Sequence, residues 1–395
     1  LKSMIYKREK MKFDFIVVGA TGMQGRIVTR DLLESGYSVL LCGRDEKRVQ
    51  HLLNKHKKKT AFEYVDLTDI SNTVKVIKNS GAKVLINAAE GDWNLNSLLS
   101  CIKTGVHSVD LGSDIPMLKK QLALNKELKK EKIIHITGCG SVPGIGNVML
   151  NYADGKFDKI DTVDVGFAWD SNIKKFFVPF SMESILEEFT MIAPYLHNNK
   201  TMMVKPIDSI VRVYHKGVGR EDQFNVGHHP ETYTFNQFCK KKGVKNIEFY
   251  AGFPDHSMNV IQTLVDLGFA RNKPVKFKGM DIMPDEFLTE LLKDLKMPKD
   301  YTETENLWVL IKGKHNGKSK EILMECIVPP LKGWEEAGCN IDTGMPASIM
   351  AQMILKKVIT KPGSYSPEDI VPPAAFFKEL RKRKLLVYEN GKVIN

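Results

Sequence analysis

The run FIVVGATGMQGRIV, Phe15 to Val28, constrains the fold more than any other feature of the chain. An apolar stretch leads straight into three glycines, Gly19, Gly22 and Gly25, and apolar residues then resume at helical spacing. A strand that turns sharply into a helix needs one glycine for the turn, a second where backbone N–H groups approach an anion, and a third where the helix lies close on the sheet. A helix beginning there presents unpaired N–H groups and the positive end of its dipole to a pyrophosphate. The triplet alone also fits an ordinary βα turn, so its neighbours must decide.

Six short runs rich in β-branched residues follow one another between Phe13 and Leu150: FDFIVVG, YSVLLCG, AFEYVD, KVLINAA, HSVDLG and KIIHITG. Helical stretches separate them, several ending at a glycine such as Gly36 or Gly105. Strands that read apolar on both faces and alternate with helices predict an α/β, Rossmann-type doubly wound parallel sheet, here assigned to residues 12–150. At its carboxyl edge the loop residues Gly19, Thr21, Gly22, Met23, Gln24 and Gly25 are placed to contact the cofactor. Further candidates come from later strand ends: Arg44 and Asp45, Asp66 and Leu67, and Asn87, Ala88 and Ala89. Arginine after the second strand can pair with a 2′-phosphate, which favours NADP; Asp45 could accept from a 2′-hydroxyl, which keeps NAD open. No GxxxxGK[ST] is present, and Tyr195 is followed at the short-chain-dehydrogenase spacing by Asn199 rather than lysine.

At 395 residues the chain exceeds one ordinary hydrophobic core. After Asn151 the pattern changes to strands such as DTVDVGFAWD, DSIVRVYHKG, ENLWVLIKG and EILMECIV, mixed with amphipathic helices. His315-Asn316-Gly317 between two of them favours an antiparallel hairpin. We assign residues 151–340 to a second, α+β domain and residues 341–395 to C-terminal helices that pack back on the first. Residues 1–11, which open on Leu1, are set aside as an N-terminal extension.

The net charge of +11 lies largely in runs such as Lys55 to Lys59 and Arg381 to Lys384, without interleaved aromatics, so no nucleic-acid track is expected. Six scattered cysteines without a CxxC pair argue against a zinc site and for a reducing compartment. Neither a membrane-length apolar run nor a leader pattern is visible, and a cytoplasmic location is expected.

A second glycine motif, GCGSVPGIGNVML from Gly138 to Leu150, would aim another helix N-terminus, at Gly144, into the crevice where substrate meets cofactor. With GATGMQG, CIKTGVHSVDLGSD, PGIGN, HPETYT, TGMPASIMAQMIL and PEDIVPPAAFFKEL in order, the sequence resembles the saccharopine dehydrogenase-like oxidoreductases, in the branch of saccharopine reductases and lysine 6-dehydrogenases. The resemblance implies an NAD(P) domain, a substrate and dimerisation domain built on a mixed sheet, and a homodimer. It also implies hydride transfer at a C–N centre of a lysine-related amino acid. Where saccharopine reductases carry an aspartate before the Pro-Gly turn this chain has Val142, which moves the balance toward lysine 6-dehydrogenase-like members.

Hydride can leave a C–N carbon only when the nitrogen lone pair is free, so the site needs a proton acceptor or a field that lowers the amine pKa. Candidates are Asp110 at the end of the fifth strand and, in GHHPET, Glu231 with His228 and His229; Glu231 is favoured by its match to the family string. Asp110 and Glu231 are also candidates for amine contact. Arg220, with Arg212 and Arg271, is the candidate for a substrate carboxylate, and no metal ligand set is expected. Two other functions fit the same motifs: a polyamine-forming imine reductase of the carboxynorspermidine synthase type, and an NADPH-binding sensor without turnover.

Overall fold

The computed structural model describes residues 12–112, 114–227 and 229–395. All six strands read in the first domain form, as β1 (Phe15–Val18), β2 (Val39–Gly43), β3 (Thr60–Tyr64), β4 (Val84–Asn87), β5 (His107–Asp110) and β6 (Ile134–Ile136). They pair in parallel in the order β6-β5-β4-β1-β2-β3, the doubly wound arrangement. β1 is buried on both faces between helices, as its unbroken apolar run requires. The order reverses between β1 and β4, and in such sheets the crevice beyond the strand ends at that point receives the ligand.

The second domain is built on a mixed sheet. β7 (Lys159–Ser171) lies at its centre, and the other strands are β8 (Ala193–His197), β9 (Lys200–Val204), β10 (Val211–His215), β11 (Gly219–Asn225) and β12 (Asn246–Phe253). A detached hairpin, β13 (Val275–Phe277) with β14 (Met280–Ile282), stands apart, and β15 (Glu303–His315) and β16 (Lys318–Val328) complete the run. β12 runs parallel to β7 and β15 antiparallel to it. The hairpin at Asn316-Gly317 forms as expected: both residues adopt positive φ, 51° and 75°, joining β15 to β16. Several strands escaped the sequence reading. β8 begins inside a stretch that reads as one helix, because APYL continues the apolar spacing of the helix Met182–Thr190.

The tail departs from the expectation of helices alone. The helix Ile341–Leu355 does pack on the helix Met23–Glu34 and on β4 and β5. β17 (Gly363–Tyr365) then joins β6 and extends the first sheet, and β18 (Leu386–Glu389) with β19 (Lys392–Val393) extends the second. The tail therefore stitches both domains together. One clamp is the buried Arg383 guanidinium, whose Nε and Nη2 donate to Asp31 at 2.6 and 2.8 Å; Ser348 Oγ donates to the same carboxylate. Two-point pairing of this kind fixes orientation as well as distance. It sets the angle at which the helix Ile341–Leu355 crosses the glycine helix, and so places the N-terminal end of Ile341–Leu355.

Candidate active site

The glycine loop forms a cradle, and its sequence explains why. A Cβ on Gly25 would sit 2.1 Å from the Gly19 carbonyl oxygen, so only glycine lets the helix start this close to the strand end. Gly19 has φ 76° and lies against Ala88 and Ala89 at the end of β4, while the Thr21 methyl packs on Gly43. Gly22 differs: a Cβ there would meet only the Gly19 oxygen, at 3.4 Å. Its own N–H donates to Gly19 at 2.9 Å, but the N–H groups of Met23, Gln24 and Gly25 have no backbone acceptor among the described residues. Open space over three unpaired donors at a helix N-terminus fits a pyrophosphate.

The other cofactor candidates divide. Arg44 is exposed at the end of β2, beside the cradle. Asp45 spends Oδ1 on capping the next helical turn, accepting from Lys47 N at 3.0 Å, so the carboxylate that kept NAD open already has a local task. Asp66 accepts from the backbone and hydroxyl of Thr68, which hold it below the ordinary carboxylate range with help from Arg44. Leu67 is buried, and its carbonyl accepts from Asn96. Asn87 is buried and turned inward, donating to Asn94 at 2.7 Å and accepting from Ala89 N.

The second glycine turn spends three of its N–H donors internally. Gly144 has φ 135°, and a Cβ on it would fall 1.8 Å from the Gly140 oxygen. The N–H groups of Ile145 and Gly146 donate to Gly140 and Ser141, both at 3.0 Å, and Gly144 N donates to Asn147 Oδ1 at 2.7 Å. With these donors consumed inside the turn, the helix Ile145–Asp154 cannot offer them to a ligand, contrary to expectation. Val142 is buried and packs against Gly146.

Asp110 is likewise committed. Its Oδ1 accepts from Gly112 N, Thr137 Oγ1 and Gly138 N, and its Oδ2 from Gln121 at 2.6 Å. His135 lies 3.6 Å from Oδ2, and burial drives its pKa below the usual histidine range. Four internal donors make Asp110 the knot that ties the β5 and β6 loops together; neither proton handling nor amine contact is what this environment serves.

Glu231 is wholly buried at the start of the helix Glu231–Cys239, and neither carboxyl oxygen accepts a hydrogen bond among the described residues. Burial, then the charge of Glu368, pushes its pKa well above the ordinary range. His229 stacks on Phe249 at 3.6 Å between centroids and approaches Glu231 with Nδ1 at 3.7 Å from Oε2. His228 lies outside the described residues.

The three arginines do not converge on the crevice. Arg220 is exposed on β11, opposite Tyr214 of edge strand β10. Arg212 pairs with Asp222 and Asp255 at the surface, and Arg271 is exposed in a loop.

Carboxyl groups converge where the arginine was sought, and the sequence reading missed them. Residues 340–344 wedge between the two glycine turns: Gln24 donates to Asn340 at 3.3 Å, and Thr343 lies 3.4 Å from Ser141 Oγ. Asp342, in the first turn of that helix, meets Glu305 of β15 within hydrogen-bonding reach. Glu303, two residues earlier on the same strand face, accepts from Tyr301 and from Cys339 N. Glu188 approaches from the helix Met182–Thr190. Burial raises all four, Asp342 to about 7, Glu188 to about 8, Glu303 upward and Glu305 far upward; after burial the charge of Glu187 adds at Glu188, that of Glu303 at Asp342 and those of Asp342, Glu303 and Glu188 at Glu305. Among the described residues none of the four pairs with a lysine, arginine or histidine within 4.0 Å, and no group of three or more His, Cys, Asp or Glu is placed to hold a metal. The sequence signal was there in ETEN, Glu303 to Asn306. Two acids alternate on the face that Leu307, Val309 and Ile311 continue as core.

No helix among the described residues is long and apolar enough to cross a membrane. A family model described as the saccharopine dehydrogenase NADP binding domain matches residues 15–136, and one described as the saccharopine dehydrogenase C-terminal domain matches residues 139–385. Carboxyaminopropylagmatine dehydrogenase of Synechocystis sp. is 24% identical over 380 residues, spanning 90% of this chain and 92% of that protein. Carboxynorspermidine synthase of Vibrio alginolyticus is 24% identical over 381 residues, 90% of each chain. The fold is shared with apo saccharopine dehydrogenase (L-Glu forming) of Saccharomyces cerevisiae, at a TM-score of 0.76 and 15% identity over 97% of this chain and 100% of that one.

Proposed function

Because the chain belongs to the saccharopine dehydrogenase family and carries its NADP-binding domain, we propose that this oxidoreductase of CH–NH groups uses NADPH to reduce the imine formed between an amine and an aldehyde-bearing amino acid, yielding a carboxylated polyamine precursor. The observation that carries this reading is the cluster of carboxyls Glu188, Glu303, Glu305 and Asp342, none of which pairs with a basic side chain among the described residues. The acidic cluster attracts ammonium groups and repels carboxylates, so it suits the amine partner, and the carboxylated arm of the aldehyde has to be held away from it. The relatives named for carboxyaminopropylagmatine and carboxynorspermidine support the same choice over a lysine 6-dehydrogenase, since both names describe amines extended by a carboxylated arm.

When bound, NADPH supplies the hydride. The cradle of Met23, Gln24 and Gly25 N–H groups would hold its pyrophosphate and Arg44 its 2′-phosphate, while the packing of Gly19 on Ala88 and Ala89 keeps the strand ends open beside them. An imine carbon accepts hydride readily only when its nitrogen is protonated. A crevice lined by carboxyl groups stabilises that iminium, whereas arginines would oppose it. Residues 340–344 join the cradle to the acidic crevice, so the reacting carbon and the cofactor are held by one segment. A homodimer through the second domain is part of the proposal, supported by Phe277, Met280, Phe287 and Leu291, which stand exposed there.

The test is a cofactor-oxidation assay with purified enzyme. NADPH should be consumed when a diamine or agmatine is mixed with an amino-acid semialdehyde, and lysine with NADP should give no reduction. Turnover of lysine alone, or no turnover with any amine and aldehyde pair, would contradict the reading.

A further inference from the structure

Strand β15 sets Glu305, partly exposed, in register between Trp169 of β7 and Val328 of β16, and continues as Leu307, Val309 and Ile311 in the core. An acid at such a position is costly unless something positive compensates it. No basic side chain does so among the described residues. Among those residues the one side-chain partner of Glu305 is Asp342, and the neighbouring groups leave polar atoms unsatisfied. Asp342, 2% exposed, receives Thr343 on Oδ1 at 3.1 Å, but its Oδ2 meets no donor; Glu188, 7% exposed, leaves Oε2 without one. The Trp169 indole, 4% exposed, has no acceptor for Nε1. Of these, the two orphaned carboxyl oxygens, on side chains nine-tenths buried and on different elements, point to a hydrogen-bond donor of positive charge.

We propose that Glu305 and Asp342, backed by Glu188 and walled by Trp169, form the receptor for the distal cation of the amine, the ammonium or guanidinium end that takes no part in C–N bond formation. This rests on the reductase reading above and goes further, because it limits the substrate to amines with a second cationic group. The receptor lies at the N-terminal end of the helix Ile341–Leu355, one residue before Thr343 reaches Ser141. A dication with its far end here keeps its near nitrogen in the crevice beside the cradle. A lysine-type α-carboxylate would lie against acids and be refused. The indole face adds attraction for either cation.

The test is isothermal calorimetry on the full-length protein, with and without NADPH, using putrescine, agmatine and propylamine as probes, alongside steady-state kinetics on the same amines. Wild type should bind the two dications at least about tenfold more tightly than propylamine, the loss expected when one charge-assisted contact goes. In Glu305→Gln and Asp342→Asn, which keep shape and relieve repulsion, that preference should shrink by about tenfold, and amine KM should rise by a larger factor than kcat falls. Glu188→Gln should give a smaller shift in the same direction. Unchanged preference in both amide variants would overturn the receptor. If wild type reduces imines of propylamine and putrescine equally well, the receptor falls and the reductase stands. If dications bind tightly through Glu305 and Asp342 but no amine is ever reduced, the receptor stands and the reductase falls.

Discussion

The cradle and the acidic cluster are linked by residues 340–344, yet they are made in opposite ways. The cradle is backbone from consecutive residues, Gly19 to Gly25, and its chemistry is the direction of N–H groups. The crevice is side chains from three distant segments, Glu188, Glu303 with Glu305, and Asp342, brought together only because the tail crosses the glycine helix. On the proposed reading the first binds the nucleotide that the family's NADP-binding domain is named for. The second is where one member can differ from another, since side chains can change without disturbing the sheet beneath them.

The sharpest way to break the comparison is to fill the backbone site. Gly25→Ala places a methyl 2.1 Å from the Gly19 oxygen and should abolish NADPH binding in a fluorescence titration; the overpacking should cost about 1–3 kcal/mol of stability or more. Binding at wild-type affinity would show that the loop is not the nucleotide site. Arg44→Ala should act more narrowly. Affinity for NADPH should fall by roughly tenfold to a hundredfold, as a lost charge-assisted contact of about 1.5–3 kcal/mol implies, while affinity for NADH stays as it was. Equal losses for both nucleotides would move the 2′-phosphate elsewhere.

The crevice can be probed through its protons. Glu188 is raised to about 8 and Asp342 to about 7, in each case first by burial. A carboxyl that binds its proton more tightly folded than unfolded makes the folded state lose stability as pH climbs from the ordinary carboxylate value through the raised one. The melting temperature should therefore fall between about pH 5 and about pH 9, and Glu188→Gln should flatten that slope. A slope unchanged in the variant would place the pH sensitivity elsewhere, with Glu221, raised to about 9, the next group to replace. The smallest effect is expected at Arg220. Exposed on β11 and away from the crevice, it should give an alanine variant with kinetics within about twofold of wild type and stability within about 0.5 kcal/mol.

The same contrast explains what the sequence disclosed. Strands β1 to β6 were legible because each is a short apolar run closed by glycine or a polar residue, a pattern that parallel burial dictates. The Asn316-Gly317 hairpin was legible because its backbone needs two residues that tolerate positive φ. Short strands such as β17 were not, because three residues carry no period. Asp110 looked functional because a carboxylate at a strand end in this fold so often meets a ligand; its four donors come from residues up to twenty-eight positions away, which spacing does not reveal. Gly144 misled in a similar way, since nothing local says that Gly140 and Ser141 will accept the helix N–H groups. Asp342 was hidden inside TGMPAS and its preceding CNID, where it reads as an ordinary first-turn acid. Only the crossing enforced by Arg383 and Asp31 brings it to Glu305.

One measurement reaches the central claim directly. Purified enzyme, NADPH deuterated at the transferable position, putrescine and an amino-acid semialdehyde are combined, and the product is analysed by mass spectrometry. The account predicts a carboxylated triamine with deuterium on the carbon that joins the aldehyde skeleton to the new nitrogen. Unlabelled product, or oxidation of NADPH with the amine recovered unchanged, would contradict it.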